Sequence, residues 1–214
     1  MPNNKQTDWD HYYDKPYKSA GFTKPIIIKR MIHYIKTFSP NAKGFSITEF
    51  GGGNSCFYQP FMQVFSPSKY CIADNNQTGL EAFSTRFKGY DPNHTELLQQ
   101  DILNLDKQWQ SDIVFSVGLI EHFSVADTRK AIEAHLEVLK PGGLLILGFP
   151  TPTWLYRISR KVSELLGLWI FHDERPLKRE EVLETLRPQG DILHNEILWS
   201  IIFTQAFIIL KKHD

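Results

Sequence analysis

The sequence is poor in cysteine, with only Cys56 and Cys71 in 214 residues. Both lie among apolar neighbours and neither belongs to a metal-ligand spacing. That argues against a disulfide framework or a cysteine-held metal, and reduced, buried thiols in a cytoplasmic protein are expected, with no bound metal. Net charge is also missing, because Lys plus Arg and Asp plus Glu number 24 each. No overall field draws the chain to nucleic acid or to an anionic membrane, so the expected partner is a small molecule. No run of about 18 uncharged apolar residues occurs, and the opening MPNNKQTDWD has no apolar signal segment, so neither spanning nor secretion is expected. Repeats and low-complexity tracts are lacking too. What remains is an ordinary globular composition, 42% hydrophobic and 22% charged.

This length suits one domain that buries a core without disulfide or metal. From residue 45 onward short apolar runs alternate with helical patterns, the mark of βαβ units around a mostly parallel sheet. Strands are predicted over 45–50, 70–74, 96–100, 112–117 and 144–149. Helices are predicted over 55–65, 78–87 and 125–139, the last ending at Lys140-Pro141-Gly142-Gly143. Two β-rich runs, 191–199 and 202–210, have almost no connector and read as an antiparallel hairpin. Ahead of the sheet, 25–38 reads as an amphipathic helix with Ile26, Ile27, Ile28, Met31, Ile32 and Ile35 as its apolar face. The single domain thus divides into an N-terminal lid and helix (1–44), a core (45–150), an insertion (151–190) and the hairpin (191–214). The fold class is α/β, doubly wound, with seven strands.

The most informative segment is Glu49-Phe50-Gly51-Gly52-Gly53-Asn54-Ser55. It puts an acid at the end of the first strand and glycines in the turn beyond, where ligand atoms can approach the backbone. Gly51 and Gly53 match two glycines of a dinucleotide fingerprint, but Cys56 stands in place of the third. A pyrophosphate needs bare amides at a helix start, whereas an acidic, carbonyl-lined turn suits an ammonium group. Asp74 ends the second strand 21 residues after Gly53, a spacing that suits a carboxylate accepting from both ribose hydroxyls, with Asn75 beside it. Asp101 follows the third strand, placed to accept from an adenine amino group, and Ile102 can pack on the ring. Three acids therefore close three successive strands on one sheet edge.

With these residues the sequence resembles the class I S-adenosylmethionine-dependent methyltransferases, particularly the small-molecule branch that includes quinone-biosynthesis enzymes. The resemblance covers about residues 45–150, and the final hairpin agrees with a seven-stranded, Rossmann-like methyltransferase sheet. It implies S-adenosylmethionine as cofactor, with Glu49, Gly51 and Gly53 in the glycine motif, Asp74 and Asn75 at the ribose and Asp101 with Ile102 at the adenine. Ser116, in the fourth-strand motif Asp112-Ile113-Val114-Phe115-Ser116-Val117, is placed at the cofactor, and Glu121-His122 follow as in many relatives. Leu139-Lys140-Pro141-Gly142-Gly143 matches the turn before the fifth strand. Ser55 stands where many relatives keep a glycine. The N-terminal Trp9, His11, Tyr12 and Tyr13 are similar to an aromatic lid over the cofactor.

Methyl transfer is an in-line displacement, so the protein mainly aligns the reactants and excludes water. A general base helps when the acceptor is a hydroxyl, and His122, just past the fourth strand, is the catalytic candidate; the other reading is a histidine that caps or packs. Tyr12, Tyr13, Trp154, Tyr156 and His172 are the acceptor candidates, and they suggest a partly apolar or aromatic molecule methylated at oxygen. In the insertion, Leu155, Ile158, Val162, Leu165, Leu166 and Trp169 share one helix face and Arg157, Arg160, Lys161 and Glu164 the other. Such a helix suits packing, an acceptor cap, or lipid contact through 154–171. Two rivals stay open. An NAD(P)-dependent oxidoreductase is opposed by Cys56, by the hairpin and by the lack of any Tyr followed four residues later by Lys. A non-catalytic, S-adenosylmethionine-binding regulatory or scaffold subunit would keep the same motifs.

Overall fold

The structure, a computed structural model, describes residues 6–14, 20–39 and 44–214. The polar start of the chain and parts of the expected lid segment, 1–5, 15–19 and 40–43, lie outside the described residues. Seven strands form one sheet: β1 (Ser46–Phe50), β2 (Lys69–Asp74), β3 (Thr95–Gln99), β4 (Ser111–Val117), β5 (Leu139–Pro150), β6 (Gly190–Leu198) and β7 (Gln205–Lys212). Their order is β3-β2-β1-β4-β5-β7-β6. Only β7 runs against its neighbours, so the predicted antiparallel pair closes an otherwise parallel sheet. Helices α1 (Trp9–Asp14), α2 (Ala20–Phe38), α3 (Tyr58–Phe65), α4 (Gln77–Arg86), α5 (Val125–Val138), α6 (Trp154–Leu165) and α7 (Arg179–Leu186) complete the described elements.

The central strand β1 is buried at every residue, as a strand covered on both faces requires. Alternate residues feed two cores. In β7, Ala206, Ile208 and Leu210 join Val182, Leu183 and Leu186 of α7, while Phe207 and Ile209 pack with Met31, Tyr34 and Ile35 of α2. The helices begin where polar caps allow. Asn76 accepts from the Gly79 amide at 2.7 Å to open α4, and Ser124 from the Asp127 amide at 3.2 Å to open α5.

Several boundaries differ from those read in the sequence. Helix α2 starts at Ala20, not at residue 25; Pro25 lies in its second turn, where its missing N–H leaves the residue-21 carbonyl without an intrahelical donor. The predicted turn Lys140-Pro141-Gly142-Gly143 is instead an irregularity inside β5, where pairing with β4 shifts between Ser111 and Ile113. Helix α6 stops at Leu165, and Gly167 turns at φ +65°, so Trp169 does not share the helix face assigned to it. The β6–β7 connection takes residues 199–204, which frees Ile202 and Phe203 from the strand.

Ser116, expected at the cofactor, is 1% exposed and faces α5. There His135 Nδ1 donates to the Ala131 carbonyl at 2.7 Å, so His135 Nε2 accepts the Ser116 hydroxyl at 2.9 Å. The sequence gives no sign of this partner 19 residues away. Burial pushes His135 down to about 4, well below its ordinary 6.5. The fold therefore favours the neutral ring, and this contribution to stability is full above pH 6.5 and lost as the pH falls toward 4. Ser116→Ala leaves a buried ring nitrogen unpaired and should lower the unfolding free energy by about 1–3 kcal/mol. Urea unfolding checks this; an unchanged midpoint would show that the pair carries no stability.

Candidate active site

Beside β1 the chain order of the sheet reverses, with β2 on one side and β4 on the other, so the connections diverge and leave a crevice beyond the strand ends. Two loops meet there. The turn after β1 bends at Gly51, whose φ of +69° suits glycine, and a Cβ on it would come within 3.1 Å of Leu119 in the loop after β4. Gly53 has no such strain. A Cβ there would lie 2.8 Å from the Tyr13 hydroxyl and 3.0 Å from Asp74 Oδ2, so this glycine is the bare floor of the crevice.

Asp74 is the polar centre of that floor. Its Oδ2 accepts from the Gly53 amide at 2.8 Å and the Tyr13 hydroxyl at 3.2 Å, and its Oδ1 from the Asn76 amide at 2.8 Å. Burial pushes the carboxyl upward against these bonds. Asn75 and Ile102 line a narrow slot next to it with Phe50, Gln100 and Phe123. Asp101 does not join them. It is exposed and closed on its own loop, accepting from the Leu103 amide at 2.9 Å and the Asn104 side chain at 3.0 Å. Gln100, one residue earlier, is the polar group facing the slot.

Toward β4 the crevice widens into a cavity of about 280 Å³. Glu49 forms part of its wall; its Oε2 accepts from Tyr70 at 2.6 Å and Ser55 at 2.7 Å, and burial raises its carboxyl to about 7. Asn54 and Lys24 also line this end, and Asn54 Oδ1 is buried with no hydrogen-bond partner. Neither residue was expected. Lys24 comes from α2, in a stretch whose isoleucines read only as a packing face.

At the far end His122 sits in the short 3-10 turn Ile120–His122 that follows β4, with 8% of its side chain exposed. Asp173 Oδ1 lies 2.9 Å from its Nδ1, which directs Nε2 toward the cavity wall formed by Glu121 and Glu174. Burial disfavours the imidazolium, but the bond to Asp173 and the surrounding carboxylates outweigh it and raise the ring above its ordinary value. Burial likewise works to raise Asp173, yet bonds from His122 and Thr7 bring it down to about 2. Glu121 is 2% exposed with Oε2 unpartnered, and burial lifts it to about 8. Ligand atoms of Glu121, His122 and Glu174 lie within 4.8 Å of one another, a set able to hold a divalent cation although no metal was read in the sequence. Glu174 is 52 residues from His122, too far for any spacing to reveal.

Helix α1 spans both ends. Trp9 packs edge-on against His122 with ring centroids 4.8 Å apart, Tyr13 lies across Gly53, and Asp10 accepts from Asn76 at 2.8 Å. Tyr12 and Tyr13, expected at the acceptor, both line the cavity from α1, and Tyr13 covers the Asp74 side. Among the other acceptor candidates only Tyr156 reaches the cavity. It is 1% exposed, donates to Glu174, and stands edge-on to Trp169, which with Phe171 and Phe203 forms an aromatic wall. Trp154 is 65% exposed on the outer face of α6, and His172 is exposed on its loop, so neither lines the cavity.

Solved structures share this architecture. An S-adenosylmethionine-dependent methyltransferase from Clostridium acetobutylicum superposes with a TM-score of 0.71 at 18% identity, over 96% of this chain and 98% of that one. Magnesium protoporphyrin IX methyltransferase from Synechocystis, with bound S-adenosylhomocysteine, gives 0.70 at 14% over 87% and 82%. The N-methyltransferase NodS from Bradyrhizobium japonicum, also with S-adenosylhomocysteine, gives 0.66 at 12% over 95% and 91%. Such low identities establish the fold. No curated protein matches by sequence. Residues 48–145 match the family described as a methyltransferase domain. The chain thus carries a segment similar to a methyltransferase domain, on a fold shared with S-adenosylmethionine-dependent methyltransferases.

The matched segment contains Glu49, the glycine turn, Asp74 and His122, whereas α1, Tyr156 and Glu174 lie outside it. Asp74→Ala removes the buried acceptor at the crevice floor and should weaken S-adenosylmethionine by about 1.5–3 kcal/mol. Gly53→Val, at an unstrained backbone position, should block it. Calorimetry on folded variants checks both; unchanged affinity in either would remove that residue from the cofactor seat.

Proposed function

We propose that this methyltransferase transfers a methyl group to a hydroxyl oxygen of a small, partly apolar or aromatic acceptor. The donor groups fit the cofactor. Asp74 and Asn75 would take the ribose, the slot with Ile102 the adenine, Glu49 and the orphaned Asn54 oxygen the ammonium, and Lys24 the carboxylate of the methionine part. S-adenosylmethionine, when bound, supplies an electrophilic methyl group. The protein's own residues supply alignment, a dry cavity and a proton acceptor.

The observation that carries the oxygen assignment is the His122–Asp173 pair in the cavity wall. Asp173 accepts from Nδ1, which leaves Nε2 with its lone pair free to take the proton of an acceptor hydroxyl. The same carboxylate then stabilises the imidazolium. Against burial, the bond to Asp173 comes first among the groups that raise the ring, and the charges of Glu121 and Glu174 add to it. Tyr156, Trp169, Phe171 and Phe203 supply flat apolar walls for the body of the acceptor.

His122→Ala should lower turnover by about 100-fold to 10,000-fold with cofactor affinity nearly intact. The pH profile gives a signed test. A base works unprotonated, so the wild-type rate should rise through a midpoint above 6.5, the ordinary value. In Asp173→Asn, with the first of the groups that counter burial removed, that midpoint should move down. Wild-type turnover in His122→Ala would refute the assignment. Activity that requires an added divalent cation and is lost to a chelator would instead assign Glu121, His122 and Glu174 to a metal. Cofactor binding with no turnover on any acceptor of a broad panel would leave a binding subunit.

A further inference from the structure

Helix α6 turns its apolar face outward. Trp154, Ile158, Val162 and Leu165 fall on one side at helical spacing, and their exposures are 65%, 56%, 49% and 78%. Leu166 and Leu168 continue the stripe past the helix end, also more than half exposed. A helix whose only task is packing turns such a face to the core. Here the inward side is held by Tyr156 and Arg160, which bond Glu174. The β6–β7 connection extends the patch with Trp199 and Ile202, both at least half exposed, and the Trp154 and Trp199 rings lie 6.5 Å apart.

This patch borders the mouth of the cavity. Leu168 is both exposed and part of the cavity lining, and Ile201 and Phe203, on either side of Ile202, turn into the same cavity. Cations flank the stripe. Arg157 and Lys161, one turn apart on α6, are exposed and have no ion pair among the described residues, while the nearby acid Glu164 is taken by Arg160 at 2.8 Å. Two exposed tryptophans, a leucine-rich stripe and free basic residues at its border are the chemistry of a helix lying in a bilayer interface. A groove for a soluble protein would not need the cations, and the chain as a whole carries no net charge that would place them there by composition.

We propose that α6 and the β6–β7 connection seat the protein on an anionic lipid bilayer, with the cavity mouth facing the acyl region. No helix among the described residues is long and apolar enough to cross a membrane, so the contact is peripheral. It provides a route by which an acceptor dissolved in lipid enters the cavity without crossing water. The bilayer contact itself does not rest on the acceptor assignment above, because it is read from binding alone.

Co-sedimentation of the full chain with vesicles tests it, using phosphatidylcholine alone and phosphatidylcholine mixed with phosphatidylglycerol. The protein should pellet with the anionic vesicles, less so as salt rises. Leu165→Glu should abolish pelleting, and the double variant Arg157→Glu, Lys161→Glu should weaken it at least about tenfold, given roughly 1 kcal/mol for each cation at an anionic surface. Both should keep wild-type circular dichroism and cofactor affinity. No pelleting, equal pelleting with neutral vesicles, or wild-type behaviour of Leu165→Glu would overturn the proposal. So would a concentration-dependent dimer that Leu165→Glu dissolves.

Discussion

One buried carboxylate organises the crevice at the strand ends of this protein. Asp74 ends β2 and joins three separate pieces of chain: the glycine turn through the Gly53 amide, the entry to α4 through the Asn76 amide, and the lid helix through Tyr13. Burial of an anion is costly unless donors surround it. The geometry of the crevice follows from satisfying that demand, since the turn must bring an amide within reach and only a residue without Cβ leaves room. A carboxylate has about four acceptor positions. Two are held by backbone and Tyr13 takes another, so a ribose diol seated as proposed would compete with Tyr13. The proposal thereby couples helix α1 and the cofactor at one group.

The same N-terminal segment reaches the other end of the cavity, where Trp9 covers His122 and Thr7, just before the helix, donates to Asp173. Closure over the proposed cofactor seat and shielding of the proposed base are properties of one short segment. That economy suits methyl transfer, in which alignment and exclusion of water do most of the catalysis. It also places the functional weight on groups drawn from distant parts of the chain. Asp173 and Glu174 come from the loop beyond α6, and Lys24 from α2.

Sequence reading succeeded where function and local pattern coincide. The parallel strands, the antiparallel end and the acid-glycine turn each sit within a short window, and their order along the chain specifies the sheet. The placement of Asp74 beside the glycine turn was legible because their spacing reflects a direct bond between them. Asp101 was misplaced by the same logic, because a strand-end acid can equally close its own loop, and here Leu103 and Asn104 take it. Ser116 failed because its partner, His135, lies under the sheet in another helix. Trp154 and Tyr156 differ by only two residues, yet one is outside and the other in the cavity, and without the inward bond to Glu174 nothing marks which side of α6 faces in. The Asp173 and Glu174 contributions depend entirely on tertiary packing across the insertion.

The central claim is that the crevice at Asp74 holds S-adenosylmethionine and not a dinucleotide. Titration calorimetry of the unmodified protein with S-adenosylmethionine, S-adenosylhomocysteine and NADH tests it most directly. The account predicts one site per chain for each of the two sulfur compounds and no heat with NADH. Saturable NADH binding with none for S-adenosylmethionine would contradict it.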